Sequence, residues 1–262
     1  MRPPLTYFGG KQNLSKRIVS LIPKHTAYVE PFFGGGAVFF AKEPSTVEVI
    51  NDTNGEVINY YKVVKSQFKE LESEIKTTLS SRKLHAKACV IYQYPDLFTD
   101  VARAWAIWVL STQSYGSILG STWNKDNKTN QTVKQLNSKR LCSVEEYAKR
   151  LENTQIECKD ALYVIRSRDS ADTFFYLDPP YFNSHLGHYR GYEELDFEKL
   201  LIQLSEIKGK FLLSSYPSEL LAKYVKKNNW HQQKIEMKVC LSGNPTVKTK
   251  VKTEVLTANY EI

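Results

Sequence analysis

Thr173-Phe174-Phe175-Tyr176-Leu177-Asp178-Pro179-Pro180-Tyr181 decides how the rest of the chain is read. Its first five residues form a continuous apolar run, which suits a parallel strand covered on both faces. The run must end at Asp178, because neither following proline can donate a ladder hydrogen bond. A buried parallel strand needs neighbours joined by crossover helices, and the flanking sequence supplies them. Ala27-Tyr28-Val29 reads as a short strand ending at Glu30-Pro31, and Thr46–Ile50 as a β-branched strand ending in Asn51-Asp52. Gln155–Cys158 and Phe211-Leu212-Leu213 are further short strands. Phe197, Leu200, Leu201 and Leu204 mark a helix, with another at 218–228. The tail alternates as two antiparallel strands joined near Gly243-Asn244. These signals predict an α/β fold with a doubly wound, mostly parallel sheet and a C-terminal antiparallel hairpin.

Between about residues 55 and 153 the strand signals disappear. Val57, Ile58, Tyr61, Val64, Phe68, Leu71 and Ile75 recur at three- and four-residue steps, predicting one long amphipathic helix with Asn54 as its N-cap. Further helices follow, interrupted by a polar loop from Ser111 to Asn137. The expected organisation is therefore a domain formed by 1–54 and 154–262, carrying a helical insert at 55–153.

A chain of 262 residues fits one large domain, or one domain with an insertion. Its composition, 42% hydrophobic and 24% charged, is that of a globular protein with a full core. The longest apolar run, Ala104 to Leu110, is too short to span a bilayer, and the start Met1-Arg2-Pro3-Pro4-Leu5 has no signal core, so a cytoplasmic protein without membrane partners is expected. Cys89, Cys142, Cys158 and Cys240 fall at wide, irregular spacings that indicate neither a zinc site nor a disulfide frame. His185 and His188 lack a matching ligand pair, and no metal is expected. A net charge of +8 favours a polyanionic partner. The charge is concentrated. Residues 101–140 hold six basic side chains against one acid, and residues 221–252 hold eight lysines against Glu236, interleaved with Trp105, Trp108, Tyr115, Trp123 and Trp230. Alone, such stretches also describe a solvated lysine face.

In an open parallel sheet, ligands bind beyond the C-terminal ends of the strands, and the informative motifs fall there. Glu30-Pro31-Phe32-Phe33-Gly34-Gly35-Gly36 follows the first strand. Its glycines permit a tight turn and close approach of a ligand, but they do not form the dinucleotide pattern. Asp52 closes the second strand, where a carboxylate can take ribose hydroxyls or simply cap a helix. Tyr7-Phe8-Gly9-Gly10-Lys11 could close over an adenine ring and a carboxylate, or be a surface turn. Asp178-Pro179-Pro180-Tyr181 is the sharpest signal. Exocyclic amines of adenine and cytosine are poor nucleophiles because the lone pair is delocalised into the ring. The Asp178 carboxylate and the Pro179 carbonyl can accept the amino hydrogens and localise that pair, while Tyr181 offers a face for stacking.

Taken together and in this order, the four motifs resemble the Dam-type, alpha-group adenine-N6 DNA methyltransferases. The resemblance covers nearly the whole chain and implies a Rossmann-like methyltransferase sheet with an inserted helical target-recognition domain. It implies S-adenosylmethionine as methyl donor and a flipped-out adenine in double-stranded DNA as acceptor, with Asp178, Pro179 and Tyr181 catalytic. Tyr7 and Lys11 would contact the donor, with Glu30, Pro31, Phe32, Gly34 and Gly36 around its methionine part. Asp52 would hold its ribose and Asp160 its adenine N6. Ser214-Ser215-Tyr216 would line the target pocket. DNA would be met by Tyr115, Ser117, Thr122, Trp123, Asn124 and Lys125, and by Asn244, Lys248 and Lys250 in the tail. A monomer is expected, and the resemblance leaves room for a cognate restriction endonuclease as partner.

The sequence departs from the family's pattern at one place. GATC-methylating members carry an arginine where Thr122 stands, and Ser114 replaces another, so the bidentate arginine contact that reads guanine is missing. GATC is therefore not the expected site. Three rivals stay open at this point. N4-cytosine methylation uses the same acceptor logic, although its usual form is Ser-Pro-Pro-Tyr. A catalytically silent DNA-binding relative and an RNA methyltransferase are the other two.

Overall fold

A computed structural model describes residues 1–142, 144–183, 191–239 and 250–262. Its strands are β1 (Ala27–Glu30), β2 (Val47–Asn51), β3 (Thr154–Glu157), β4 (Thr173–Leu177), β5 (Lys210–Ser215), β6 (His231–Val239) and β7 (Lys250–Ala258). Its helices are α1 (Ser15–Ser20), α2 (Gly55–Ser66), α3 (Phe68–Thr77), α4 (Arg82–Gln93), α5 (Asp100–Gln113), α6 (Gln131–Arg140), α7 (Val144–Leu151), α8 (Ala161–Arg168), α9 (Glu194–Leu204) and α10 (Glu219–Asn228). The strands form one sheet in the order β3-β2-β1-β4-β5-β7-β6. The pairings β1–β4, β2–β3 and β4–β5 are parallel, and β7 runs antiparallel to β5 and β6. This is the doubly wound, mostly parallel sheet that the sequence predicts. The joint between the last two strands, expected near Gly243-Asn244, lies outside the described residues.

The chain divides into two compact units. One comprises Met1–Ser20 and Phe33–Asp160. Its centre is α5, where Ala104 to Leu110 are all buried, so the apolar run is a helix enclosed on every side. Helix α2 packs on it, and Arg103 clasps Glu56 with two hydrogen bonds of 2.9 and 2.6 Å. Asn54 caps α2 as predicted, accepting from the Glu56 and Val57 N–H groups. The predicted single helix over 57–75 is in fact two. Gln67 leaves the helical region at φ −137°, ψ 39°, closing α2 with its own N–H and opening α3 with its carbonyl. Leu71 and Ile75 stay buried beyond the break, so the apolar stripe continues across a kink that periodicity does not register.

The predicted polar loop is also shorter, spanning 114–130. Ser111 and Thr112 belong to the end of α5, their hydroxyls turned back onto the Trp108 carbonyl so that neither polar group opposes the helix by seeking a partner elsewhere. Helix α6 buries only Leu136, which leaves no stripe to read.

The second unit comprises Leu21–Phe32 and Ala161–Ile262. All five residues of β4 are buried, between β1 on one side and β5 on the other. The order reverses between β1 and β4, a switch point of the kind where open α/β sheets bind ligands. Glu30 and Asp178 stand at that point, at the C-terminal ends of the two strands. Among the described residues, no helix is long and apolar enough to cross a membrane, and no cluster of His, Cys, Asp or Glu could hold a metal ion. His185 and His188 lie outside the described residues.

Candidate active site

In the second unit, acid and phenol groups converge where β1, β4 and β5 end, beside the middle of β7. The Tyr181 hydroxyl lies 3.1 Å from Asp178 Oδ1 and within hydrogen-bond reach of Glu254 Oε1, which is nearer. Its ring meets that of Tyr216 edge-on, 4.4 Å between centroids. Pro179 is buried, and Asp178 and Tyr181 are half-buried. Tyr176 and Ser214 share a hydrogen bond of 3.0 Å, one residue short of each strand's end. Glu30 is 2% exposed and takes the Tyr28 hydroxyl at 2.7 Å. Pro31 is buried behind it and Phe32 half-buried.

Burial, reinforced by the charge of Asp178, pushes the Tyr181 phenol well above its ordinary value. Burial and the charges of Asp178, Glu30 and Glu254 do the same to Tyr176. Both hydroxyls therefore remain donors across the neutral range. Glu254, 1% exposed on β7, was not singled out from sequence, where its only signal is an acid inside the run Thr253-Glu254-Val255.

The first unit carries the other predicted ligand groups. The Gly34 N–H donates to Asp52 Oδ2 at 2.8 Å, and the Asn54 N–H to Oδ1 at 2.9 Å. Burial pushes the Asp52 carboxyl up, opposed by hydrogen bonds from the Asn54, Gly34 and Thr53 main chain. The glycine turn is closed by the protein itself. A β-carbon on Gly34 would lie 3.0 Å from the Tyr7 ring, and one on Gly36 2.5 Å from that of Phe33. The clearance these glycines create is thus filled by Tyr7 and Phe33, where the sequence suggested room for a ligand against the backbone. The Tyr61 hydroxyl donates to the Gly34 carbonyl at 3.0 Å, a role hidden inside the α2 stripe.

Lys11 is buried, with its ammonium on the Gly9 carbonyl at 3.1 Å. Asn51, fully buried, exchanges two hydrogen bonds with the Lys159 main chain, at 2.8 and 3.0 Å. It thereby fixes the loop that presents the exposed Asp160 beside the end of β2.

Tyr115, Ser117, Thr122, Trp123, Asn124 and Lys125 come together on one bridged loop, in which Ser114 pairs with Trp123 and the Tyr115 N–H donates to the Thr122 carbonyl. Gly116, Ser117 and Gly120 turn it with positive φ. Tyr115, Thr122 and Lys125 are exposed. Trp123 is a support: its N–H reaches Gln113 at 3.4 Å and Arg82 lies over its ring at 5.2 Å. Ser114 is buried as the partner of His85, 2.9 Å away, so it faces the protein interior.

The charged stretches also need correction. Trp105, Trp108 and Trp230 are buried core residues, so the aromatic interleaving carries no binding signal there. Of the six basic residues in 101–140, Arg103, Lys139 and Arg140 are tied to Glu56, Thr6 and the Thr78 carbonyl. Lys125, Lys128 and Lys134 are exposed. Asn244 and Lys248 lie outside the described residues, as does the side chain of Lys250, whose backbone opens β7.

Residues 7–239 match the profile of the D12 class N6 adenine-specific DNA methyltransferases. The chain belongs to that family. It is similar to the Type II methyltransferase M1.LlaDCHI of Lactococcus lactis subsp. cremoris, 26% identical over 283 residues, covering 99% of this chain and 96% of that one. It is also similar to the Type II methyltransferase M.MjaIII of Methanocaldococcus jannaschii, 26% identical over 203 residues and 69% of each chain. A third relative is the Type II methyltransferase M.CviBI of Paramecium bursaria Chlorella virus NC1A, 26% identical over 188 residues and 69% of each chain.

The methyltransferase thus acts on adenine N6 of DNA and draws its methyl group from S-adenosylmethionine. The donor set of the first unit fits such a cofactor. A carboxylate has about four lone-pair directions, and three main-chain N–H groups already point at Asp52. About one acceptor direction remains, which suits one ribose hydroxyl rather than both. The N4-cytosine and silent-relative alternatives are not favoured.

Proposed function

We propose that this enzyme is a Dam-type, alpha-group member that methylates an adenine flipped out of a specific duplex site. The observation that carries the reading is the Asp178–Tyr181–Glu254 cluster at the switch point of a sheet whose family acts on adenine N6. S-adenosylmethionine supplies an electrophilic methyl group on a sulfonium. Tyr7, Lys11, Glu30, Pro31, Phe32, Gly34, Gly36, Asp52 and Asp160 are the residues assigned to hold it. Asp178 and the Pro179 carbonyl accept the two N6 hydrogens and turn the nitrogen lone pair outward, and Tyr181 stacks on the base. Positioning of this kind contributes a large share of the rate in displacement reactions.

An amine inside the helical stack cannot reach Asp178, so the target nucleotide rotates out, at a cost of a few kcal/mol. Residues 55–153 form the target-recognition part of the catalytic domain 1–54 and 154–262. The loop bearing Tyr115, Ser117, Thr122 and Lys125 enters a groove, Trp123 and Asn124 hold its base, and Asn244, Lys248 and Lys250 follow phosphates. With Thr122 and Ser114 in place of the guanine-reading arginines, the site is other than GATC. The protein works as a monomer in the cytoplasm, and its Type II relatives motivate a cognate restriction endonuclease as partner.

The test uses tritiated donor and genomic DNA lacking adenine methylation, followed by nucleoside analysis. Label is expected in N6-methyladenine and is lost in Asp178→Ala, whose thermal unfolding stays that of the wild type. Label in N4-methylcytosine, or incorporation by Asp178→Ala within about threefold of wild type, would overturn the reading.

A further inference from the structure

Tyr181 has one hydroxyl proton and two carboxyl acceptors, Asp178 Oδ1 at 3.1 Å and Glu254 Oε1, which lies closer. A hydroxyl donates a single hydrogen. Which carboxylate receives it decides what Asp178 can do for the target. If Tyr181 donates to Asp178, it competes with the N6 hydrogens for the same oxygen and makes that carboxylate a weaker acceptor. If it donates to Glu254, the Asp178 oxygen keeps its acceptor strength for the amine.

Glu254 is 1% exposed on an inner strand, where a carboxylate is costly unless it is compensated. It sits on β7 beside Val255, which pairs with Ser215 of β5, at the same end of the sheet as Tyr216. Among the described residues, the acid and phenol groups that act on the Tyr181 hydroxyl include Asp178 beyond β4, Glu254 on β7, and Tyr176 within β4.

We propose that Glu254 is a positioning residue that takes the Tyr181 hydroxyl proton and so preserves Asp178 as acceptor for the target amine. It also locks the Tyr181 ring at the angle from which it meets Tyr216. The inference rests on the adenine-N6 reading of the Asp178 site. It adds a residue that never touches the base.

The test compares Glu254→Leu, Tyr181→Phe and the double variant with the wild type. Leucine removes the acceptor together with its own buried charge, and thermal unfolding checks that the fold holds. In Glu254→Leu the phenol turns to Asp178, and kcat falls about 10- to 100-fold, the scale of one hydrogen bond to a charged group, with KM for DNA nearly unchanged. Tyr181→Phe keeps the ring and loses less than about tenfold. The double variant has no hydroxyl to cap Asp178, so it recovers from the Glu254→Leu level to that of Tyr181→Phe. A residue that only fills space would give a double variant slower than either single one, and that result would overturn the proposal.

Failure of the wild type to form N6-methyladenine would instead sink the reading on which the proposal rests.

Discussion

Lys139 sits in surroundings that suit a charge poorly. Among the described residues its ammonium donates to the Thr6 hydroxyl, and burial pushes its pKa down to about 8 from the ordinary 10.5. Below about pH 8 both folded and unfolded chains carry the proton, and the folded state bears the full desolvation cost. Between pH 8 and 10.5 the unfolded chain binds more protons, so stability rises with pH through that window. Lys139→Met should therefore melt higher than wild type at pH 7, by roughly 3 °C. The gap should close by about pH 10.5. Calorimetry at both pH values checks this, and a gap that widens with pH would contradict the assignment.

At the same scale the limits of sequence reading are clear. Asp178 and Tyr181 stand in a motif whose spacing carries their chemistry. Glu254 and Asn51 do not, because their roles depend on partners far along the chain, Tyr181 and Lys159. Only the sheet brings those together.

Gln113, the last residue of α5, shows how an element delivers a site. Its carbonyl accepts from the Asn124 N–H at 2.8 Å. Its side-chain oxygen takes the Ser81 N–H at 3.0 Å and the Trp123 N–H at 3.4 Å, and its amide donates to the Leu79 carbonyl at 3.1 Å. A buried helix end thereby orients the loop that bears Tyr115, Ser117 and Thr122, proposed above to meet DNA. Gln113→Leu is expected to raise KM for DNA about tenfold while kcat changes little, since what it removes is shared by ground and transition states. Steady-state kinetics on duplex DNA would show it, and an equal loss confined to kcat would place the residue elsewhere. Elements with a strong apolar signature, such as β4 and α5, are legible from sequence. The break at Gln67 and the polar helix α6 are not, because a single backbone torsion and a helix with one buried residue leave no period to detect.

For the molecule as a whole, the +8 charge acts through the lysines that stay exposed. Lys125 and Lys128 are exposed at the C-terminal side of the loop proposed to meet DNA. Each phosphate contact contributes about 0.9 to the slope of log affinity against log salt. Replacing both with glutamine should reduce that slope by about 2 and weaken binding alike on cognate and unrelated duplexes. Titrations at several salt concentrations measure this, and a slope unchanged within error would remove the loop from the phosphate path.

The alternation of strand and helix signals was enough to anticipate a parallel sheet, with Pro31 and Pro179 marking where β1 and β4 stop. The composition of the two compact units was beyond its reach, because residues 21–32 join a unit otherwise made of 161–262. That membership shapes how the protein is made. β1 pairs with β4 in the register Ala27↔Thr173. On the ribosome, the first of these strands emerges long before its neighbour has been translated. Until then Tyr28 and Val29, fully buried in the finished protein, have β2 as a strand neighbour on one side and nothing on the β4 side. The nascent chain must carry a strand with one open edge through much of its own synthesis, which makes this short segment a natural point for chaperones to engage.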